Sequence, residues 1–142
     1  MTMPEAETHF GVQGAALMRA ADAMLRALGG TEVSILLPLL GLPDDPSVQL
    51  GLVDPGVEEV KFSPVVVRSL ATDNSGPRRR LEFLLPASSV AEQASDHNRA
   101  SGAALIEGAL GVVYQGALFH IEGMTTEYFA GTAYLYRVVG VE

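Results

Sequence analysis

Apolar residues recur at helical spacing between Gly14 and Leu28. Leu17, Met18, Ala21, Met24, Leu25 and Leu28 form one stripe, with Arg19, Asp22 and Arg26 opposite. That spacing predicts an amphipathic helix packing one face on a sheet. Gly29-Gly30 supplies its stop, because glycine takes the left-handed conformation at helix ends. The polar face is short and mixed in sign, which argues against a membrane-surface helix. Residues 1–12 read as a loose N-terminal arm. Thr31 to Leu37 reads as a strand ended by Pro38. Turn formers crowd Gly41 to Ser47, and Gln49 to Asp54 reads as a short strand.

Further on, the β-branched run Val65-Val66-Val67 and the run Leu81 to Leu85 flank the polar stretch Thr72 to Pro77. They predict a long hairpin, Val65 to Leu70 against Arg80 to Leu85. Pro86 then opens a helical region. Ser88 or Ser89 is the expected N-cap of a short helix over 90–96. Ser101 is the expected cap of a second helix reaching Leu110, with Leu105, Ile106 and Leu110 as apolar contacts. Asp96-His97-Asn98 reads as a polar break between the two.

The chain from Gly111 onward reads as a three-stranded antiparallel meander. Its runs are Val112 to Tyr114, Ala117 to Glu122 and Thr132 to Val139. Gln115-Gly116 suits a tight two-residue turn, and Gly123 to Gly131 reads as a longer loop. Tyr134, Tyr136 and Val138 share one face of the last run; Leu135, Arg137 and Val139 share the other. Both faces are largely apolar, as expected for a strand covered on two sides in a small barrel or at a subunit interface.

Length, charge and residue usage narrow the function classes. The 142 residues fit one α+β domain over 1–142, large enough to fold without disulfides or metal. No cysteine is present, which removes thiol nucleophiles and thiolate metal sites. The acidic opening does not read as a signal peptide. The longest apolar run, Ile35 to Leu40, holds six residues, far below the roughly 20 that span a bilayer. Net charge is −8 with one lysine, Lys61, which disfavours binding to a phosphate backbone. Arg78-Arg79-Arg80 has two readings: a solvated strand end that discourages edge-to-edge association, or a contact site for an acidic neighbour. Asp44, Asp45 and Asp54 lack the spacing of a calcium loop and fit turn chemistry. His120 and Glu122 are expected on one strand face, where a general acid–base pair is conceivable and ordinary exposed polar residues are commoner. No catalytic residue, cofactor or metal ligand is assigned.

The order of the pieces resembles a known family. The strand Ser-Pro-Val-Val-Val-Arg, its partner Arg-Leu-Glu-Phe-Leu-Leu-Pro-Ala-Ser-Ser-Val, a helical insertion and the hairpin Val-Tyr-Gln-Gly-Ala-Leu-Phe-His-Ile-Glu-Gly-Met look like the head–tail connector and head-completion (neck) proteins of tailed phages, often carried as prophages. Gly116, Phe119 and Ile121 match the family's Gly-x-x-aromatic-x-Ile strand. The resemblance covers roughly residues 58–142, and the helical segment is longer than a minimal member needs. It implies a small β-barrel with flanking helices, forming or joining a ring between portal and tail. Its partners would be portal, tail or neck proteins or its own copies, in the host cytoplasm or the virion. An acidic surface would suit a wall past which DNA slides, or a patch for basic neighbours.

The expected architecture is therefore α+β: a small antiparallel β-barrel or strongly curved sheet with an N-terminal helix and a two-helix insertion. The expected role is structural, with no enzymatic activity. Candidate interface residues are Leu39, Leu42, Val48, Leu50 and Val53 in the loop after the first strand, and Arg78, Arg79 and Arg80 after the second. Two alternatives stand beside it. One is a ligand-binding or enzymatic barrel in which His120, Glu122 or Arg137 converge in a cavity; the other is a bacterial interaction domain with no phage connection.

Overall fold

A computed structural model describes residues 3–39, 50, 56–70 and 78–142. Helix α1 spans Met3–Ala27. It begins before Gly14, so the segment expected as a loose arm is helical from Met3 onward. Strand β1 (Thr31–Pro38) is followed by β2 (Val57–Ser69) and β3 (Arg80–Pro86). Helices α2 (Ala87–Asp96) and α3 (Gly102–Glu107) intervene before β4 (Gly111–Tyr114), β5 (Ala117–Phe129) and β6 (Thr132–Val141). The strands close into a barrel in the order β1-β2-β3-β6-β5-β4, with antiparallel neighbours throughout.

Strand alternation builds the interior. Val33, Ile35 and Leu37 of β1, Val60 and Phe62 of β2, and Tyr136 and Val138 of β6 all face one core. Phe83 of β3 is its hub. Its ring meets Phe119 edge-to-face at 5.8 Å and Tyr114 at 6.1 Å. Gly140 makes room for this: a Cβ there would lie 2.9 Å from the Phe119 Cβ and 3.2 Å from Phe83 Cε2. Ala87, Val90 and Ala94 of α2 join the same core with Leu105 and Ile106 of α3. The two-helix insertion therefore completes the interior.

The long hairpin forms in the expected register, with Val66 opposite Leu84 and Ser69 opposite Leu81. β3 is buried on both faces. Leu81, Phe83 and Leu85 look into the barrel, while Leu84 packs outward with Leu135 of β6 against Leu25 of α1. That explains why both faces of the last strand are apolar. The α1 stripe is narrower than its periodicity predicts: Ala21 and Leu25 are buried, whereas Met24 and Leu28 are exposed.

Three boundaries differ from expectation. β3 runs straight into α2, whose N-cap is Pro86 with no side-chain cap, so Ser88 and Ser89 lie inside the helix. α3 stops at Gly108, which leaves Leu110 exposed instead of packed. Gly123 does not open a loop. It follows a bulge, and β5 continues to Phe129, where Ala130 (φ 49°) and Gly131 (φ 79°) make the turn. Both positions take positive φ, the requirement of a type I′ hairpin. The Gln115-Gly116 turn forms as expected, with φ of 51° and 76°. The Ser101 cap also forms, its hydroxyl accepting from the Ala104 amide at 3.1 Å. The strand expected over Gln49 to Asp54 lies outside the described residues apart from Leu50.

Candidate interaction surface

The antiparallel barrel has two ends, and Leu39 lies at one while the three arginines lie at the other. β2 is 13 residues long, about 40 Å end to end. Leu39 lies beside its start, where the Leu39 amide donates to the Gly56 carbonyl at 3.1 Å. The arginines lie beside its finish, where the Leu70 amide donates to the Arg80 carbonyl at 3.0 Å.

At the arginine end, two of the three side chains are spent within the chain. Arg79 Nε donates to Glu142 Oε2 at 2.6 Å, and its guanidinium carbon sits 5.3 Å from the centroid of the Phe119 ring. The hydrogen bond from Arg79 holds the Glu142 carboxyl below its ordinary range, and the same bond raises Arg79. Arg80 Nε donates to Glu122 Oε2 at 3.1 Å. These pairs tie the start of β3 to β5 and to the residue after β6. Arg78 is exposed.

The opposite end carries an apolar rim. Leu50, between β1 and β2 in sequence, is 72 % exposed; at this end Leu39, Val57, Leu110 and Leu118 are exposed, Val57 at 57 %. Around β1 they are near neighbours. Val57 pairs with Pro38, and the Leu110 amide donates to the Leu36 carbonyl at 2.8 Å. Leu118 presses so close to β4 that a Cβ on Gly111 would lie 2.7 Å from it. His97 and Arg99, in the elbow between α2 and α3, brace this end. His97 Nδ1 is 2.9 Å from Glu58 Oε1, and Arg99 Nη2 donates to the Pro38 carbonyl at 2.8 Å. His97 therefore meets Glu58 rather than its chain neighbour Asp96. Leu42, Val48 and Val53, with Asp44, Asp45 and Asp54, lie outside the described residues. Val57 closes the Leu37 to Val57 segment expected as an interface, whereas sequence reasoning missed Leu110 and Leu118. Leu110 was hidden because the helix was expected to run through Gly108.

The β5–β6 hairpin overhangs the same end. β4 pairs with β5 only over 117–119, whereas β6 follows β5 as far as Phe129. From His120 onward the second edge of β5 has no strand beside it among the described residues. Tyr128 and Phe129, at the tip, are each 65 % exposed.

His120, Glu122 and Arg137 do not converge. His120 is exposed, Glu122 turns to Arg80, and Arg137 Nε lies 3.0 Å from Glu127 Oε1 on the outside of the sheet. The bulge between Ile121 and Gly123 also breaks the alternation on which a shared face for His120 and Glu122 depends. A shallow open groove between α1 and the start of α2 is lined by Met18, Arg19, Asp22, Ala23, Arg26 and Ser88. Among the described residues no group of three or more His, Asp or Glu side chains is placed to hold a metal. No described helix is long and apolar enough to cross a membrane. No protein-family model, curated protein or solved structure gives a significant match to this chain.

Proposed function

We propose that this chain is a structural protein that works by binding other proteins, as a head–tail joining component of a phage or prophage. The observation that carries the reading is the apolar rim around the end of β1. Exposed leucine and valine side chains gathered at one end of a barrel gain free energy when a partner covers them, about 25 cal/mol per Å² of apolar surface. Phe62, Phe83 and Phe119 are fully buried, and three large rings packed inside the barrel support a role for the surface over one for a cavity. The particular role rests on the sequence resemblance, and a closed barrel with flanking helices is the architecture that resemblance implies. On this reading the partners are portal, tail or neck proteins or further copies of the chain, in the host cytoplasm or the virion.

Deleting the gene from source cells and imaging particles after prophage induction tests the role. DNA-filled heads and free tails that fail to join are expected. Normally joined particles from the deletion strain, or no particles from the parent, would contradict it.

A further inference from the structure

We propose that the free edge of β5 is a pairing surface for a second copy of this chain, in a two-fold antiparallel ladder centred on Thr126. The inference stands apart from the head–tail role and needs only the geometry of the overhang.

Exposed strand edges are normally blunted by lysine, proline, charge or bulges. Between the bulge at Gly123 and the tip, β5 carries no lysine or proline. Its single charge there, Glu127, already faces Arg137. The irregularity near the tip places its extra residue, Tyr134, on β6, so β5 alternates without interruption from Gly123 to Phe129. Gly123, Thr125, Glu127 and Phe129 share the outer face with Val139, Arg137, Leu135 and Thr132. Met124, Thr126 and Tyr128 share the inner face with Val138, Tyr136 and Ala133.

An edge extended by a two-fold axis normal to the sheet must match outer face to outer face. With the axis at Thr126, that residue opposes its own copy, Thr125 opposes Glu127, Met124 opposes Tyr128 and Gly123 opposes Phe129. Each pair lies on one face. No two carboxylates meet, which matters for a chain of net charge −8. The two exposed aromatics both find suitable partners. A Cβ on Gly123 would meet nothing within 4 Å, so the glycine leaves open space over which the Phe129 ring of the copy can lie. Tyr128 of the copy rests against the Met124 thioether. The ladder satisfies backbone groups the edge leaves unpaired and buries the two most exposed aromatic rings of the tip. Because the contact is isologous, it closes at a dimer.

The chain has no cysteine, so single cysteines report the register cleanly. Directly opposed residues in an antiparallel ladder are about 4.5–5.5 Å apart at Cα, within reach of a disulfide. Under mild oxidation Thr126→Cys should cross-link to itself about ten times faster than His120→Cys, which lies outside the ladder. A mixture of Thr125→Cys and Glu127→Cys should give the mixed disulfide at a similar rate, and it decides the matter if Thr126→Cys fails to fold. Adding Phe129→Ser should slow both reactions. Cross-linking no faster than at His120→Cys, in either experiment that folds, overturns the proposal and leaves the edge to a strand of a different protein.

Discussion

Phe83 and Phe119 meet edge-to-face, 5.8 Å between ring centroids, at the centre of the barrel. β3 and β5 are separated in the sheet by β6, so this contact passes over the inner face of β6 at Gly140 and ties its two neighbouring strands together. Both rings are fully buried. Phe83→Ala should lower stability by about 3–5 kcal/mol through lost contacts and the cavity left behind. Urea unfolding followed by circular dichroism would read it.

Gly140 is the complement of those rings. Gly140→Val must place side-chain carbon where Phe119 and Phe83 already lie. Overpacking of this kind is expected to destabilise by about 1–3 kcal/mol, measured by the same unfolding experiment. Gly123→Ala provides the contrast, because the space at that position is open.

The helix caps separate two similar serines. Ser101→Ala removes the acceptor for the Ala104 amide and should destabilise by about 0.5–2 kcal/mol. Ser88→Ala touches no capping bond and should change stability by no more than about 0.5 kcal/mol. Thermal melts of the two variants, side by side, check the difference.

Acid should loosen the arginine end. The Glu142 carboxyl titrates below its ordinary value because Arg79 donates to it. A depressed carboxyl contributes stability that is complete above its unfolded value and is lost as pH falls through the folded value. Glu142→Gln lacks that contribution. The gap in melting temperature between wild type and variant should hold near neutral pH and narrow as pH drops below the ordinary glutamate range.

The apolar rim should tolerate change without unfolding. Val57→Ser and Leu110→Ser alter exposed side chains and are expected to shift stability by no more than about 0.5 kcal/mol. A larger loss in either would mean that the residue packs within the fold and is no contact surface.

Much of the barrel was legible because its signals are local. Gln115-Gly116 marks its turn by a glycine set two residues after one apolar run and just before the next, and the paired runs around Val66 and Leu84 mark their hairpin by composition. The other turn was hidden, because alanine at positive φ is uncommon and Ala130 gives no warning. Gly123 then looked like the start of a loop, when the sheet uses it beside a bulge. That misplacement concealed the overhang and buried Tyr128 and Phe129 in an expected loop, although two adjacent aromatics beside Ala-Gly are the trace a projecting tip leaves. The start of α1 was obscured by Gly11 and Gly14, which weaken helical propensity. The arginine run read equally well as surface or contact site, because the acids that meet it, Glu122 and Glu142, are distant in sequence.

The most direct measurement of whether the overhang serves a second copy is the solution mass by light scattering over a range of concentrations. The account predicts a mass rising from the 15.0 kDa chain toward twice that value, and a return to the single chain in Tyr128→Ser/Phe129→Ser. A mass of one chain at every concentration, or a dimer indifferent to the tip, would contradict it.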